Sequence, residues 1–139
     1  MADDKKIINT FETVDFPDYG LEHVIAKIDT GAYTGALHCT EISLEPSEQG
    51  DILHFSPFNH PEIVISTQDY VIGEVKSSNG ETQNRYFIHT HIVIRGETYE
   101  IQLSLADRSE MRMSVLIGRK FLLRNKFLVD VNRVGDIVT

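Results

Sequence analysis

The chain has 139 residues, 41% hydrophobic and 24% charged, which suits one domain (1–139) with a real hydrophobic core and argues against disorder. Its formal net charge of -8 argues against a nucleic-acid partner, since binding phosphates needs clustered Lys and Arg, and against an anionic membrane surface.

The first ten residues hold Asp3, Asp4, Lys5 and Lys6 without a long apolar run, so no signal peptide is expected. No later segment reads as a membrane-spanning helix. The sole cysteine, Cys39, cannot pair within the chain, which suits a reducing cytoplasm. It reads as a small buried apolar residue rather than a nucleophile.

Residues 7–14 alternate as a first strand, and Pro17 and Gly20 predict a turn over 15–20. Residues 21–28 predict the strand that delivers Asp29 into Thr30-Gly31. Another strand is expected over 37–44, then a loop over 45–51 holding Pro46 and Gly50. A short strand over 52–55 is stopped by Pro57 and Pro61, and strands over 63–66 and 70–76 follow. Asn79-Gly80 between extended segments is a strong hairpin signal; its return strand, 85–95, is rich in Tyr, Phe, Ile, Thr and Val. Gly96-Glu97 predicts a second turn, and 98–105 alternates again. Ser114-Val115-Leu116-Ile117 is an apolar strand ending in Gly118-Arg119. Only 118–126, with Phe121, Leu122 and Leu123, looks helical, and the last strand is expected over 127–134. Short strands separated by turn residues point to an all-β barrel or sandwich.

The stretch Ala26-Lys27-Ile28-Asp29-Thr30-Gly31-Ala32 organises the rest. Gly31 removes a Cβ where the backbone must bend or approach another chain. A carboxylate on a tight turn is ordinarily a solvated turn residue; the later Leu116-Ile117-Gly118-Arg119 shifts the reading toward chemistry. Asp-Thr-Gly-Ala followed downstream by Leu-Ile-Gly-Arg resembles the retropepsin-like aspartic proteases. With Thr34, Ala36-Leu37-His38, Phe16-Pro17-Asp18-Tyr19-Gly20, Val75-Lys76-Ser77-Ser78-Asn79-Gly80, Arg85-Tyr86 and Leu105-Ala106-Asp107-Arg108-Ser109, the chain resembles the bacterial retropepsin-like family labelled "ATP-dependent zinc protease". The likeness runs over 13–131. It implies an all-β, retropepsin-like closed barrel with one short helix after the Ile-Gly-Arg strand, and an aspartic peptidase with Asp29 as its catalytic residue.

Such chemistry needs two carboxylates sharing one proton, because two adjacent charges cannot comfortably coexist. The ionised member takes a proton from water, and the protonated one hydrogen-bonds the scissile carbonyl. The chain supplies one Asp-Thr-Gly, and Asp69, Asp107, Asp130 and Asp136 lack that context. Asp29 is therefore expected to meet its own copy across a two-fold axis in a homodimer. By the same resemblance Thr30 would hydrogen-bond across the axis, where the plain alternative is a turn threonine. Gly31 would let the carboxylates approach, and Ile117 and Gly118 would pack behind the turn. Arg119 would make an ion pair or hydrogen bond near the dimer interface; its plain alternative is a solvated helix-start arginine. Ala32 cannot donate the hydrogen bond that a serine would give the ionised pair, which predicts activity nearer neutral than strongly acidic pH. The hairpin of Ser77, Ser78, Asn79 and Gly80 reads as a flap over substrate, with a plain surface hairpin as the alternative. Tyr33 and Gly35 depart from the family, which usually has a basic residue and a serine there. Tyr33 is expected to alter the substrate subsite, and Gly35 to loosen the following strand.

No cofactor and no metal is expected, despite the family label. There is no His-Glu-x-x-His run, the single cysteine excludes a thiolate-rich site, and no phosphate-cradling Gly-x-x-x-x-Gly-Lys exists. His89 and His91 share a strand face but are an incomplete ligand set. His38 reads as a hydrogen-bonded core histidine or as support for the site. No nucleophile elbow accompanies the serines, and Glu41, Glu45 and Glu48 read as solvated charge. The family is often associated with ATP-grasp glutamate ligases, so the resemblance implies a peptide or glutamyl-peptide substrate and a ligase partner. Negative charge gathered around the groove would disfavour acidic substrates. The rivals are a peptide-binding module that turns nothing over and a scaffold subunit for a ligase.

Overall fold

The computed structural model describes residues 6–76, 80–107 and 113–132. Among the described residues eleven strands and one short α-helix follow one another: β1 Ile7–Asn9, β2 Phe11–Phe16, then after a 3-10 turn at Pro17–Tyr19 β3 Leu21–Ile28, β4 Gly35–Glu45, β5 Ile52–Pro57, β6 Ile65–Thr67, β7 Tyr70–Lys76, β8 Thr82–Ile94, β9 Glu97–Ala106, β10 Val115–Ile117, α1 Arg119–Arg124 and β11 Leu128–Asp130. The expected β3 and β7 are found at the expected bounds. The single strand expected over 7–14 is instead split at Thr10. β1 departs to pair in parallel with β11, while β2 pairs antiparallel with β3, and one straight strand cannot serve two sheets. Residues beyond 132 of the expected last strand lie outside the described residues.

Pairing closes on itself. β10 pairs in parallel with β3 and antiparallel with β4, and the path continues from β3 through β2, β8 and β9 back to β4. β5 and β6 extend from β4, and among the described residues β7 pairs with β8 alone. Closure leaves no open edge within the ring of β10, β3, β2, β8, β9 and β4, where an edge would otherwise invite pairing with other chains. Alternation aims one side of each strand inward, and Val14, Phe16, Leu37, Ile88, Ile92, Leu103 and Ile117 are essentially fully buried. No described helix is long and apolar enough to cross a membrane.

Two local devices fix the connections that matter for the site. The β8–β9 turn is Arg95-Gly96, with Ile94 registered on Glu97 and φ of 52° and 82° at the two turn residues. The geometry has the twist that two-residue hairpins need, and the turn sits one residue earlier than expected. A left-handed arginine is unfavourable. It is offset by an ion pair, Arg95 Nη2 donating to buried Glu12 at 2.8 Å. Helix α1 is shorter than the expected 118–126, and Leu123 is exposed rather than core. Lys126 takes a left-handed φ of 58°, its N–H reaching the Leu123 carbonyl at 3.2 Å and that of Phe127 the Leu122 carbonyl at 2.9 Å. These bonds are the Schellman stop, and the usual apolar clasp accompanies them as Phe121 stacks on Phe127 with centroids 5.7 Å apart.

Candidate active site

In β3, Ala26 and Ile28 are buried while Lys27 is exposed, so the next outward position belongs to Asp29, which is half-buried. The strand ends in a turn held by backbone. The Asp29 N–H donates to the Ile117 carbonyl at 2.9 Å, and the Ala32 N–H returns to the Asp29 carbonyl at 3.2 Å. The Gly31 N–H donates to Asp29 Oδ1 at 3.0 Å, fixing the carboxylate's orientation.

The apolar strand expected behind this turn is there. Ile117 is fully buried, and Gly118 passes so close that a Cβ would lie 2.6 Å from the Tyr33 carbonyl oxygen and 2.8 Å from the Gly35 nitrogen. Both obstacles are backbone and cannot swing aside. Helix α1 then begins against the turn, its first N–H groups satisfied by turn carbonyls. Arg119 N–H donates to Ala32 at 2.7 Å and Lys120 N–H to Tyr33 at 2.9 Å. The Arg119 guanidinium adds a hydrogen bond to the Thr30 carbonyl at 2.8 Å and lies 5.5 Å from the centre of the Tyr33 ring. Asp29, Thr30, Gly31, Ala32, Ile117, Gly118 and Arg119 are thus brought together. Arg119 is exposed and makes no ion pair among the described residues; its hydrogen bond to Thr30 ties the turn to the helix.

Gly35 has the opposite effect to the one expected. A Cβ there would lie 2.2 Å from the Leu116 carbonyl oxygen, so glycine permits β4 to run against β10 rather than loosening the strand. Tyr33 is 56% exposed, beside the turn but shared with Arg119. The expected flap is described only at its stem, where Lys76 is registered on Thr82; Gly80 is exposed, and Ser77, Ser78 and Asn79 lie outside the described residues.

The other sequence candidates fall elsewhere. His38 is buried within β4, its N–H donating to the Ser114 carbonyl at 2.9 Å and its Nε2 lying 3.4 Å from Asn59 Oδ1. That is the hydrogen-bonded core histidine. His91 Nδ1 lies 2.9 Å from Asp18 Oδ2, which also accepts from Thr90. His89 instead lines a cavity of about 220 Å³ with Thr34, Glu100, Gln102, Lys120 and Arg124, apart from Asp29. Among the described residues no group of three or more His, Cys, Asp or Glu is placed to hold a metal ion. Cys39 is fully buried, and burial drives its thiol pKa far up, so it is inert as a nucleophile.

A family model described as the RimB-like retropepsin-like aspartic endopeptidase matches residues 7–135. Among curated proteins, one from Shewanella pealeana named "Probable alpha-L-glutamate ligase" is 34% identical over 135 residues, covering 94% of this chain and 29% of its own length. A protein of the same name from Shewanella halifaxensis is 35% identical over the same shares. The chain therefore spans less than a third of the curated relatives it matches. A crystal structure of a Legionella pneumophila protein of unknown function superposes with a TM-score of 0.72 at 24% identity, covering 94% of this chain and 96% of the other. That likeness is one of fold.

Proposed function

The chain belongs to the RimB-like family of retropepsin-like aspartic endopeptidases, and from that premise we propose that it is an aspartic peptidase, one domain per subunit, working as a homodimer. The observation that carries this reading is an outward Asp29 carboxylate whose Oδ1 is pinned by the Gly31 N–H on a turn locked to β10 and α1. A rigid, oriented carboxylate is what proton transfer to and from water requires, since catalytic groups must be held close to their productive geometry.

One such carboxylate does not suffice. A second copy across a two-fold axis supplies the partner, and the pair then holds one proton. The ionised member removes a proton from water as its oxygen attacks the scissile carbonyl carbon. The protonated member donates to the carbonyl oxygen as charge develops there, and collapse of the resulting diol transfers a proton to the leaving amine. Thr30 and Gly31 face the partner turn in this dimer. The hairpin of Ser77, Ser78, Asn79 and Gly80 closes over the peptide, and Tyr33 borders it. No metal or cofactor enters the scheme.

The relatives' names support glutamyl peptides as the first substrates to try and a glutamate ligase as a partner, encoded separately or joined in one chain. They also favour a second reading, in which this fold serves a ligase as a peptide-holding scaffold without turnover. Asp29→Asn separates the two. As a peptidase, the protein loses turnover of glutamyl and general peptides with dimerisation and peptide binding retained. As a scaffold, it has no turnover to lose at any pH.

A further inference from the structure

Two residues before Asp29, on the same outward face of β3, stands Lys27. Its Cα is registered opposite Phe11 in β2 and Leu116 in β10, and directly opposed residues share a face of the sheet. Phe11 and Leu116 are half-buried and Lys27 is exposed. The next pair along this face is Thr13 with Ile25, both uncharged. Beyond it the carboxylate of Asp15 is occupied by the His23 backbone N–H at 2.9 Å. Glu12 is buried and bound to Arg95. No side-chain hydrogen bond or ion pair joins the Lys27 ammonium to another described residue. In a chain of net charge -8, an ammonium without a side-chain partner among the described residues thus sits one outward position from the candidate catalytic carboxylate, roughly 7 Å along the strand.

We infer that Lys27, flanked by Phe11 and Leu116, is a specificity-determining subsite that takes an acidic side chain next to the scissile bond. This rests on the peptidase reading for its position relative to the bond. The ammonium receives the carboxylate as a charge-assisted hydrogen bond, while Phe11 and Leu116 offer apolar surface to methylenes between carboxylate and backbone. Glutamate, with two methylenes, fits that strip better than aspartate. The two-fold axis repeats the arrangement, so one Lys27 lies on each side of the Asp29 pair and an acidic residue is favoured on both sides of the cleaved bond. Net charge does not set the local preference: the acidic protein presents a cation where the substrate lies.

The test uses three peptides of common sequence with Glu, Gln or Lys at both positions flanking the scissile bond. Cleavage is measured for the unaltered chain, Lys27→Met and Lys27→Glu. Binding is measured for the same three in an Asp29→Asn background, with circular dichroism confirming the fold. Glu is expected over Gln by about tenfold per position in the unaltered chain. The ratio falls to about one in Lys27→Met and reverses toward the Lys peptide in Lys27→Glu. The preference also shrinks as salt is raised. A Glu preference that survives in folded Lys27→Met, or failure of every peptide to bind, overturns the inference. Glu-selective, Lys27-dependent binding without turnover keeps the subsite and sinks the peptidase reading; turnover indifferent to Lys27 does the reverse.

Discussion

The Asp29 turn and the β7–β8 hairpin both hinge on glycine, and their glycines differ in what surrounds them. At the turn, a Cβ on Gly118 would meet only backbone, at 2.6 Å and 2.8 Å. In the hairpin, a Cβ on Gly73 would meet the edge of the Phe87 ring at 2.7 Å, a side chain that can rotate or shift. The turn is also crossed by hydrogen bonds from β10 and α1, whereas β7 has β8 as its one paired neighbour among the described residues and leaves Val71 and Ile72 exposed. The lesson is a division of labour. Fixed geometry is concentrated where a carboxylate must be aimed, and adaptable packing lies in the element that would close over a peptide.

The strongest way to break this comparison is to remove the chemistry while keeping the scaffold. Asp29→Asn is expected to lower peptide turnover by at least about 10³-fold with an unchanged melting temperature; an equal fall in stability would show that the turn depends on the charge itself. Next, Gly118→Ala is expected to cost about 3 kcal/mol and to lower the melting temperature by about 10 °C, because backbone must move. Gly73→Ala should cost about 1 kcal/mol, since the Phe87 ring can yield. Thermal unfolding of both variants side by side tests the contrast, and equal losses would refute it.

Arg119→Met removes the hydrogen bond to the Thr30 carbonyl and is expected to cost about 1 kcal/mol. If the turn works as proposed, kcat falls more than KM changes, because a misaimed carboxylate loses rate rather than affinity. The smallest effect belongs to the far end of the barrel. Desolvation raises the Asp18 pKa, but hydrogen bonds from His91 and Thr90 together outweigh it and hold the carboxyl below 3.8. A depressed folded-state value contributes stability above the unfolded pKa and loses it as pH falls through the folded one. Asp18→Asn should therefore flatten the acid limb of the stability curve below about pH 4, read by denaturant titration at several pH values.

Much of this was legible in the sequence because it rests on local rules. Alternation over 21–28 gave β3 its bounds, since the same side chains that alternate must be sorted between core and outside. Asn79-Gly80 marked the hairpin, and Ile117-Gly118-Arg119 the strand and helix start behind the turn. What escaped depends on distant residues meeting. The break at Thr10 follows from β1 leaving for β11. The necessity of Gly35 follows from a carbonyl 81 positions later, that of Leu116. Arg95 can occupy a left-handed turn position because Glu12 holds its guanidinium. Lys27 was in plain view as part of the Lys-Ile-Asp-Thr-Gly run. Its relation to Asp29 needed only the two-residue repeat of a strand; the flanking Phe11 and Leu116 needed the fold.

The sealed thiol of Cys39 has a practical consequence. With the chain's one natural sulfhydryl buried and hard to ionise, alkylating reagents find no native target while the barrel is intact. A cysteine introduced at exposed Thr82 would then carry a fluorophore or spin label alone. Whether the hairpin closes as proposed could be tested optically or magnetically on a background that needs no further engineering, and any label appearing at Cys39 would itself report that the barrel had opened.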